Sequence, residues 1–257
     1  EALQGGASVG EGEAIPFTQF KVVESKREDI VVEKYAKSLS LESVSKWGAT
    51  VAIEKTDDAF MVELQNKVLK DFYTFLKTGT LKGTQKKWQK VLAIANGAEL
   101  NKFAGMNRNV TEVVGFANVM DFYDWLGDKE ITVQTMFGLQ YIKDFFGFST
   151  LFLLPDDYIP AKTVIATPVE NIDLYYIDPG DSDFKKLGLD YTTSGETNLI
   201  GFHAGGNYTN ATGETYAFMG MKLWADILDG VCVVTVGTTE TIPEVSSAVS
   251  KASSNGK

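Results

Sequence analysis

The side chains in this sequence that could do acid–base chemistry are aspartates in three groups. The groups are Asp121 with Asp124, Asp156 with Asp157, and Asp178 with Asp181 and Asp183. The first pair lies three residues apart on a predicted short helix, a spacing that a hydrolase with two working carboxyl groups could use. The third group is spaced like a loose calcium-binding loop but lacks the closing glutamate of such a loop. Solvated turns and helix faces explain all three groups more simply, so a soluble hydrolase is the weaker interpretation.

Histidine occurs only once in the sequence, at His203. Catalytic triads and most zinc sites depend on histidine. A single histidine in a predicted strand beside a glycine-rich turn is typical of a structural or exposed residue. We therefore predict that the protein is not an enzyme and that it has no catalytic residues, no bound metal and no organic cofactor.

The composition indicates a globular protein and argues against several classes of function. The 257 residues are 44% hydrophobic, enough to bury a large core in one domain or in two. A net charge of −10 argues against a nucleic-acid-binding surface, because phosphate contacts need clustered Lys and Arg. The single cysteine, Cys232, excludes an internal disulfide framework.

We find no signal peptide or transmembrane run and predict no membrane partner. The sequence begins with Glu1, which we interpret as residues missing from its start.

A long helix is the clearest structural element, and we predict it at residues 56–77 with Gly79 just beyond its end. Thr56 is a suitable N-cap, and Gly79 can adopt the left-handed conformation that follows many helices. The apolar residues recur at three- and four-residue steps, which places them on one face of the helix. They are Phe60, Met61, Leu64, Val68, Phe72, Phe75 and Leu76. We expect the rest of the chain to pack around this helix.

The chain before that helix is glycine-rich and then extended and charged. Residues 1–16 have few bulky side chains, and two extended segments follow between residues 17 and 41, with a polar turn at residues 25–29. The charges that flank these segments favour an arm standing out from the body of the protein. An edge hairpin lying flat on the domain is an equal alternative.

The remaining elements follow from apolar periodicity and from capping residues. The predicted short helices are residues 41–47, 84–96, 119–126 and 139–146. The residues predicted to end or cap helices are Gly48, Gly97, Asn118 and Gly127. The predicted strands are residues 110–117, 131–136, 150–154, 163–167, 171–177, 199–203, 215–225 and 231–236. We predict a polar loop at residues 98–109 and a poorly ordered serine-rich tail at residues 243–257. Helices grouped early and strands grouped late indicate an α+β fold.

An ordered series of short motifs is similar to the major capsid proteins of tailed bacteriophages. The motifs are GEGEAIP at residues 10–16, KYAKSLSLESVSKWG at 34–48, AIEKTDDAF at 52–60, VVGFANVMDFYDWLG at 113–127, the strand-rich segment at 146–177, ETNLIGFH at 196–203 and DGVCVVTV at 229–236. The resemblance covers about residues 10–236 and implies the Hong Kong 97-like fold.

This resemblance also implies a division into named parts. Residues 1–40 would form the E-loop, and residues 41–94 would form a P-domain with a spine helix at 56–77. Residues 95–185 would form the A-domain, and residues 186–257 would supply the return strands of the P-domain and the C-terminal tail. The N-terminal arm and the first half of the E-loop found in that family are absent from this sequence.

The function implied by the resemblance is a major capsid protein. Its hexamers and pentamers would build an icosahedral shell around double-stranded DNA, in a virion assembled in the host bacterial cytoplasm. Scaffold, decoration and portal proteins would be partners, and contact with the packaged DNA would be non-specific. An encapsulin-type nanocompartment shell, which encloses cargo protein, is the alternative within the same fold.

The residues expected to contact a neighbouring subunit are apolar residues of the E-loop. They are Phe17, Phe20, Val22, Ile30 and Val32. Part of the family also cross-links its subunits through a Lys and an Asn beside a Glu in a dry pocket. Lys21 or Lys26 with Asn207 or Asn210 would be of the right types, but nothing in the sequence brings them together. We therefore expect assembly without covalent links.

Overall fold

The computed structural model describes residues 29–106, 108–110, 112–128, 130–136, 139–193 and 199–243, and the account below concerns the unit that begins at Val31. The helices are α1 (Leu41–Trp47), α2 (Ala49–Leu76), α3 (Trp88–Gly105), α4 (Val119–Leu126) and α5 (Ser182–Lys186). The strands are β1 (Val32–Ser40), β2 (Leu81–Gln85), β3 (Val113–Asn118), β4 (Gln134–Met136), β5 (Leu139–Phe145), β6 (Phe148–Leu154), β7 (Thr163–Pro168), β8 (Ile172–Tyr176), β9 (Thr192–Thr193), β10 (Gly201–Asn207), β11 (Thr212–Ala225) and β12 (Cys232–Val236).

The strands form two sheets. The first is antiparallel, in the order β1-β11-β10-β9, and β8 pairs with the last five residues of the long strand β11. The second has the order β2-β12-β7-β3-β6-β5-β4. This sheet is mixed. The pairs β12–β2 and β3–β6 are parallel, and the other pairs of neighbouring strands are antiparallel.

The second sheet is buried on both faces. Helices α3 and α4 cover one face of this sheet. Ala117, Val164 and Val234 belong to the buried cluster on that face. The last turns of α2 cover the other face, where Tyr73 and Leu76 pack against Phe116 and Ile165. Burial on both sides explains why β7 is an uninterrupted run of buried residues and not an alternating one.

The long helix is present but begins earlier than predicted. It runs over Ala49–Leu76, so Thr56 lies inside it and does not cap it. The Thr56 hydroxyl donates instead to the carbonyl oxygens of Ala52 at 2.9 Å and Ile53 at 3.0 Å. No glycine or proline interrupts residues 49–56, so the helix continues back to the positive-φ residue Gly48. The prediction of Thr56 as the N-cap was wrong.

Gly79 does not form a left-handed helix cap. It allows the backbone at the end of α2 to lie close to Val231. Its φ lies outside the left-handed region, and a Cβ built on it would lie 2.3 Å from the Val231 carbonyl oxygen. The helix end therefore passes directly over the chain that leads into β12. Among the predicted apolar positions of α2, Leu64 and Leu76 are buried and the other five are half-buried.

The helix predicted at residues 84–96 has different bounds, and the polar loop predicted at residues 98–109 is wrong because most of it is helical. The helix predicted at residues 84–96 begins at Trp88 and continues past Gly97 to Gly105, and the preceding strand β2 was missed. Residues 98–105 are helical because Ala98, Glu99 and Phe103 are drawn into the core, which overrides the polar pattern.

The aromatic helix predicted at residues 139–146 is a strand. β5 forms a hairpin with β6, and the two loop residues Phe146 and Gly147 have φ of 51° and 86°. Positive φ at both central residues is characteristic of a tight hairpin turn whose twist matches that of the strands. The aromatic side chains of β5 therefore belong to a sheet and not to a helical face.

Other predictions are confirmed. Helix α1 spans the predicted residues, with Ser40 as its N-cap and Gly48 at its end. The unit of β3, Asn118, α4 and Gly127 follows the predicted order, and Asn118 accepts a hydrogen bond from the Met120 amide at 2.9 Å. The predicted later strands correspond to β6, β7, β8, β10, β11 and β12. The first predicted extended segment and residues 244–257 of the predicted tail lie outside the described residues.

Candidate assembly surfaces

The acidic groups that could have done chemistry are engaged in local structure. Asp121 accepts a hydrogen bond from the Lys162 backbone amide, and burial raises the pKa of its carboxyl group. Asp178 accepts from the Gly180 amide at 2.8 Å, and Asp181 caps α5 by accepting from the Asp183 amide at 3.1 Å. These contacts fix turns and helix starts, which is a structural role for Asp121, Asp178 and Asp181.

The remaining acidic group is tied to a buried asparagine. Asn118 is fully buried, and its side-chain amide donates to Asp156 at 2.6 Å and to the Ile159 carbonyl oxygen at 2.9 Å. Because its side-chain oxygen also caps α4, this one residue joins β3, α4 and the turn after β6. Asp156 is therefore a structural partner of Asn118.

His203 lies on β10 with its Nδ1 atom 3.0 Å from the Asp190 carbonyl oxygen, and its side chain is exposed. Within the described residues, no three His, Cys, Asp or Glu side chains are grouped in a way that could hold a metal ion. No helix among those residues has both the length and the apolar character needed to cross a membrane.

Of the five residues predicted to contact a neighbour, only two are described. Phe17, Phe20 and Val22 lie outside the described residues. Ile30 is half-exposed just before β1, and Val32 is the first residue of β1, paired with Gly220. All nine residues of β1 pair with β11, so this strand is an integral part of the first sheet.

One face of β1 is fastened to the long helix by polar side chains. Lys67 of α2 lies 3.3 Å from the Glu33 carboxylate, and Lys37 pairs with Asp57 and donates to the Thr56 hydroxyl at 3.0 Å. Burial and the hydrogen bond to Glu33 raise the pKa of the Tyr35 phenol to about 12. This row of contacts fixes the sheet against α2, while the opposite face of β1 is exposed.

The predicted cross-linking residues are only partly placed. Lys21 and Lys26 lie outside the described residues, and Asn207 and Asn210 lie at the β10–β11 hairpin. The Asn207 amide donates to the Glu214 carboxylate at 2.9 Å. Hydrogen bonds from Tyr216 and then from Asn207 lower the pKa of that carboxyl group. Asn and Glu are thus adjacent, at a half-exposed position.

A groove that the sequence did not predict lies between the first sheet and the start of α2. It has a volume of about 430 Å³ and is lined by Leu39, Val44, Ile53, Gly206 and Gly213, among others. A second depression of about 390 Å³ adjoins it at Leu39 and Thr56. The rim carries exposed apolar side chains, including Trp47 and Val51.

Comparison with known proteins gives structural matches only. No protein-family model and no curated protein sequence matches the chain. A structure from Mycobacterium phage Che8 is similar with a TM-score of 0.53 at 9% sequence identity, covering 84% of this chain and 76% of that one.

Two other similar structures superpose less closely. The SrpI encapsulin complex of Synechococcus elongatus has a TM-score of 0.48 at 10% identity, with 82% of this chain and 78% of that chain covered. The procapsid of satellite phage P4 has a TM-score of 0.46 at 11% identity, with 92% and 86% covered. The likeness to the Che8 structure is at the level of the fold. The chain has an α+β architecture of the Hong Kong 97-like type.

Proposed function

We propose that this protein is the major capsid protein of a tailed bacteriophage, which assembles with copies of itself into an icosahedral shell around double-stranded DNA. The observation that carries the proposal is the fold, a long helix fastened to a narrow antiparallel sheet and packed on a broad mixed sheet. The ordered sequence motifs support the same assignment independently of the structure.

We further propose a role for each part of the chain. Residues 41–94 form the P-domain, residues 95–185 the A-domain, and residues 186–257 the return strands and tail. The free part of the E-loop comprises the residues before Val32, because β1 is paired along its whole length. Phe17, Phe20, Val22 and Ile30 would then contact the adjacent subunit, and Val32 would mark the point where the loop joins the sheet.

The charge of the protein fits a container for DNA. A net charge of −10 repels the phosphate backbone, so the shell would hold its DNA without binding it tightly. Asp121, Asp178 and Asp181 accept backbone hydrogen bonds in turns and at a helix start, which supports a structural role for these residues. Scaffold and portal proteins would assist assembly in the bacterial cytoplasm.

The proposal is tested by electron microscopy of material from cells that express the full-length protein together with its assembly partners. We expect closed icosahedral shells whose contents, after nuclease treatment, are double-stranded DNA or empty space. Material that stays monomeric or dimeric in sedimentation under these conditions would refute shell assembly. Shells that reproducibly enclose a single cargo protein and no DNA would identify the protein as an encapsulin-type shell instead.

A further inference from the structure

The tip of the β10–β11 hairpin projects an aromatic side chain that is almost completely exposed. Tyr208 is 99% exposed, yet it sits on an ordered turn between two paired strands. Residues 204–213 contain no charged side chain. Tyrosine is enriched among the residues that anchor protein partners, so Tyr208 is a candidate anchor.

The groove beside this hairpin is lined on the side of the sheet partly by glycine. Gly206 and Gly213 are paired in register and share the face of the sheet that Leu39 occupies. Neither has a left-handed φ, and a Cβ built on either would meet no atom of a described residue within 4 Å. The described part of the subunit therefore gives no reason for glycine here, although glycine weakens a strand. Glycine at such positions is expected where another chain approaches closely.

The walls of the groove are apolar and their charges are already paired. Val44 and Ile53 line one side, and Ile53 is 46% exposed. Lys37 is paired with Asp57, and Glu214 accepts hydrogen bonds from its neighbours. Two chains that each carry a charge of −10 repel one another, so they should meet where both surfaces are neutral. The hairpin tip is uncharged, and the groove adds three charged side chains, Lys37, Asp57 and Glu214, to its apolar walls.

We infer that this groove receives the hairpin tip of a second copy of the chain, with Tyr208 of that copy as the anchor. The inference rests on the proposed function, since it assigns one contact of the proposed shell. A groove of about 430 Å³ has room for a tyrosine ring, and the half-exposed carboxylate of Asp57 is available to accept from its hydroxyl group.

The geometry of the hairpin keeps Tyr208 out of the groove of its own subunit. Tyr208 is separated from Gly206 by a single residue, so the tip cannot fold back into the groove of its own hairpin. Because each copy presents both the tip and the groove, the contact passes from one copy to the next and closes into a ring, or two copies exchange tips.

The experiment fills the groove in one set of variants and removes the anchor in another. Gly206→Ala and Gly206→Val place side chains on the groove floor, and Tyr208→Ser removes the ring. Gly97→Ala on the exposed side of α3, where a Cβ also meets no atom, is the matched control for glycine replacement. Tyr208→Phe is the control that retains the ring. Each variant is tested in the full-length chain with its assembly partners.

We expect Gly206→Val and Tyr208→Ser each to raise the protein concentration needed for shell formation by about tenfold or more, as the loss of an anchor residue does. The melting temperature of the unassembled subunit should stay the same or rise for Gly206→Val. Gly97→Ala should assemble as the unchanged protein does. Tyr208→Phe retains the ring but loses the hydroxyl group that would donate to Asp57, so it should impair assembly less than Tyr208→Ser. Shell formation by Tyr208→Ser at the unchanged concentration would overturn the inference even if Gly206→Val failed to fold. Absence of shells from the unchanged protein would instead refute the proposed function.

Discussion

The ammonium nitrogen of Lys102 and a carboxylate oxygen of Asp229 lie 3.3 Å apart, and this pair joins α3 to the turn that leads into β12. The Lys102 side chain is buried, whereas Asp229 is half-exposed and also accepts from the Thr80 hydroxyl. Hydrogen bonds from Thr80 and Lys102 lower the pKa of the Asp229 carboxyl group. One turn earlier on the same helix, the fully buried carboxyl group of Glu99 has no well-formed hydrogen bond to any described residue.

We predict that Glu99 makes the subunit less stable as the pH rises. Burial raises the pKa of this carboxyl group from 4.5 to about 8, against smaller opposing effects of the Cys232 amide and Lys102. A raised carboxyl pKa means that the folded state retains a proton that the unfolded state releases. The stabilising contribution is complete below pH 4.5 and is lost as the pH rises towards 8. From about pH 5 to pH 8 the loss is on the order of 4 kcal/mol.

The measurement is urea unfolding of the unassembled subunit at several pH values in that interval. Glu99→Gln should abolish most of the dependence and be more stable than the unchanged protein at the alkaline end. Glu54→Gln, on the exposed side of α2, is the control and should leave the dependence unchanged. Parallel pH profiles for the unchanged protein and Glu99→Gln would contradict the prediction.

Replacing a packed side chain of α2 should destabilise the subunit far more than replacing an exposed one. Leu64 is buried with 2% of its surface exposed, and Phe72 is half-buried in edge-to-face contact with Phe116. Replacing Leu64 by Ala should cost about 2–5 kcal/mol in the free energy of unfolding. Phe72→Ala should cost roughly 2–5 kcal/mol through the lost ring contacts and the cavity. Val62→Ala, at an exposed position of the same helix, is the control and should change stability little. Equal losses in the free energy of unfolding for Leu64→Ala and Val62→Ala would contradict this prediction.

The sequence predicted best those elements whose signals are local. The cap formed by Asn118 and the stop at Gly127 lie within one short unit, so the residues that decide α4 are all its neighbours in the chain. The same holds for α1 between Ser40 and Gly48. Capping residues act within one turn of the helix, and a single sequence is sufficient to recognise them.

The predictions that failed depended on contacts distant in the sequence. Gly79 is explained by the Val231 carbonyl oxygen, and the late part of α3 is explained by packing against β12 and β7. The spacing of the aromatic residues in β5 is compatible with both a helix and a strand. Only the pairing of β5 with β6 shows that the segment is a strand. The groove is lined by Leu39, Ile53 and Gly206, which come from three separate segments of the chain. No local sequence motif could therefore have predicted it.

We predict that assembled shells dissociate into single chains in a denaturing gel. Joining a lysine to an asparagine would require a carboxylate that takes a proton from the ammonium group in a dry pocket. Glu214, the carboxylate beside Asn207, is half-exposed, and hydrogen bonds from Tyr216 and Asn207 lower its pKa, which makes it a poor base. A ladder of covalent multimers from mature shells would contradict this prediction. Loss of such a ladder in Asn207→Asp, with Asn210→Asp unaffected, would then assign the linkage.

The last prediction separates the proposed arm from the body of the subunit. A two-stranded ribbon is only marginally stable in water by itself, so an arm must bury apolar side chains against a neighbour. Each side chain fully buried in that contact would contribute on the order of 1.5–3 kcal/mol. Replacing Phe20 and Ile30 together by Ser should therefore prevent shell formation and leave the melting temperature of the unassembled subunit unchanged.

Two sets of controls make this result interpretable. Thr18→Ser and Ser25→Ala alter the same segment without removing apolar surface and should assemble normally. Leu64→Ala, at a buried position of α2, should lower the melting temperature of the subunit before assembly begins. We expect the Phe20 and Ile30 variant to remain soluble, folded and unassembled under conditions in which the conservative variants form shells. If it instead melts as early as Leu64→Ala does, the segment before β1 packs within its own subunit as a flat hairpin, and the assignment of an arm between subunits is wrong.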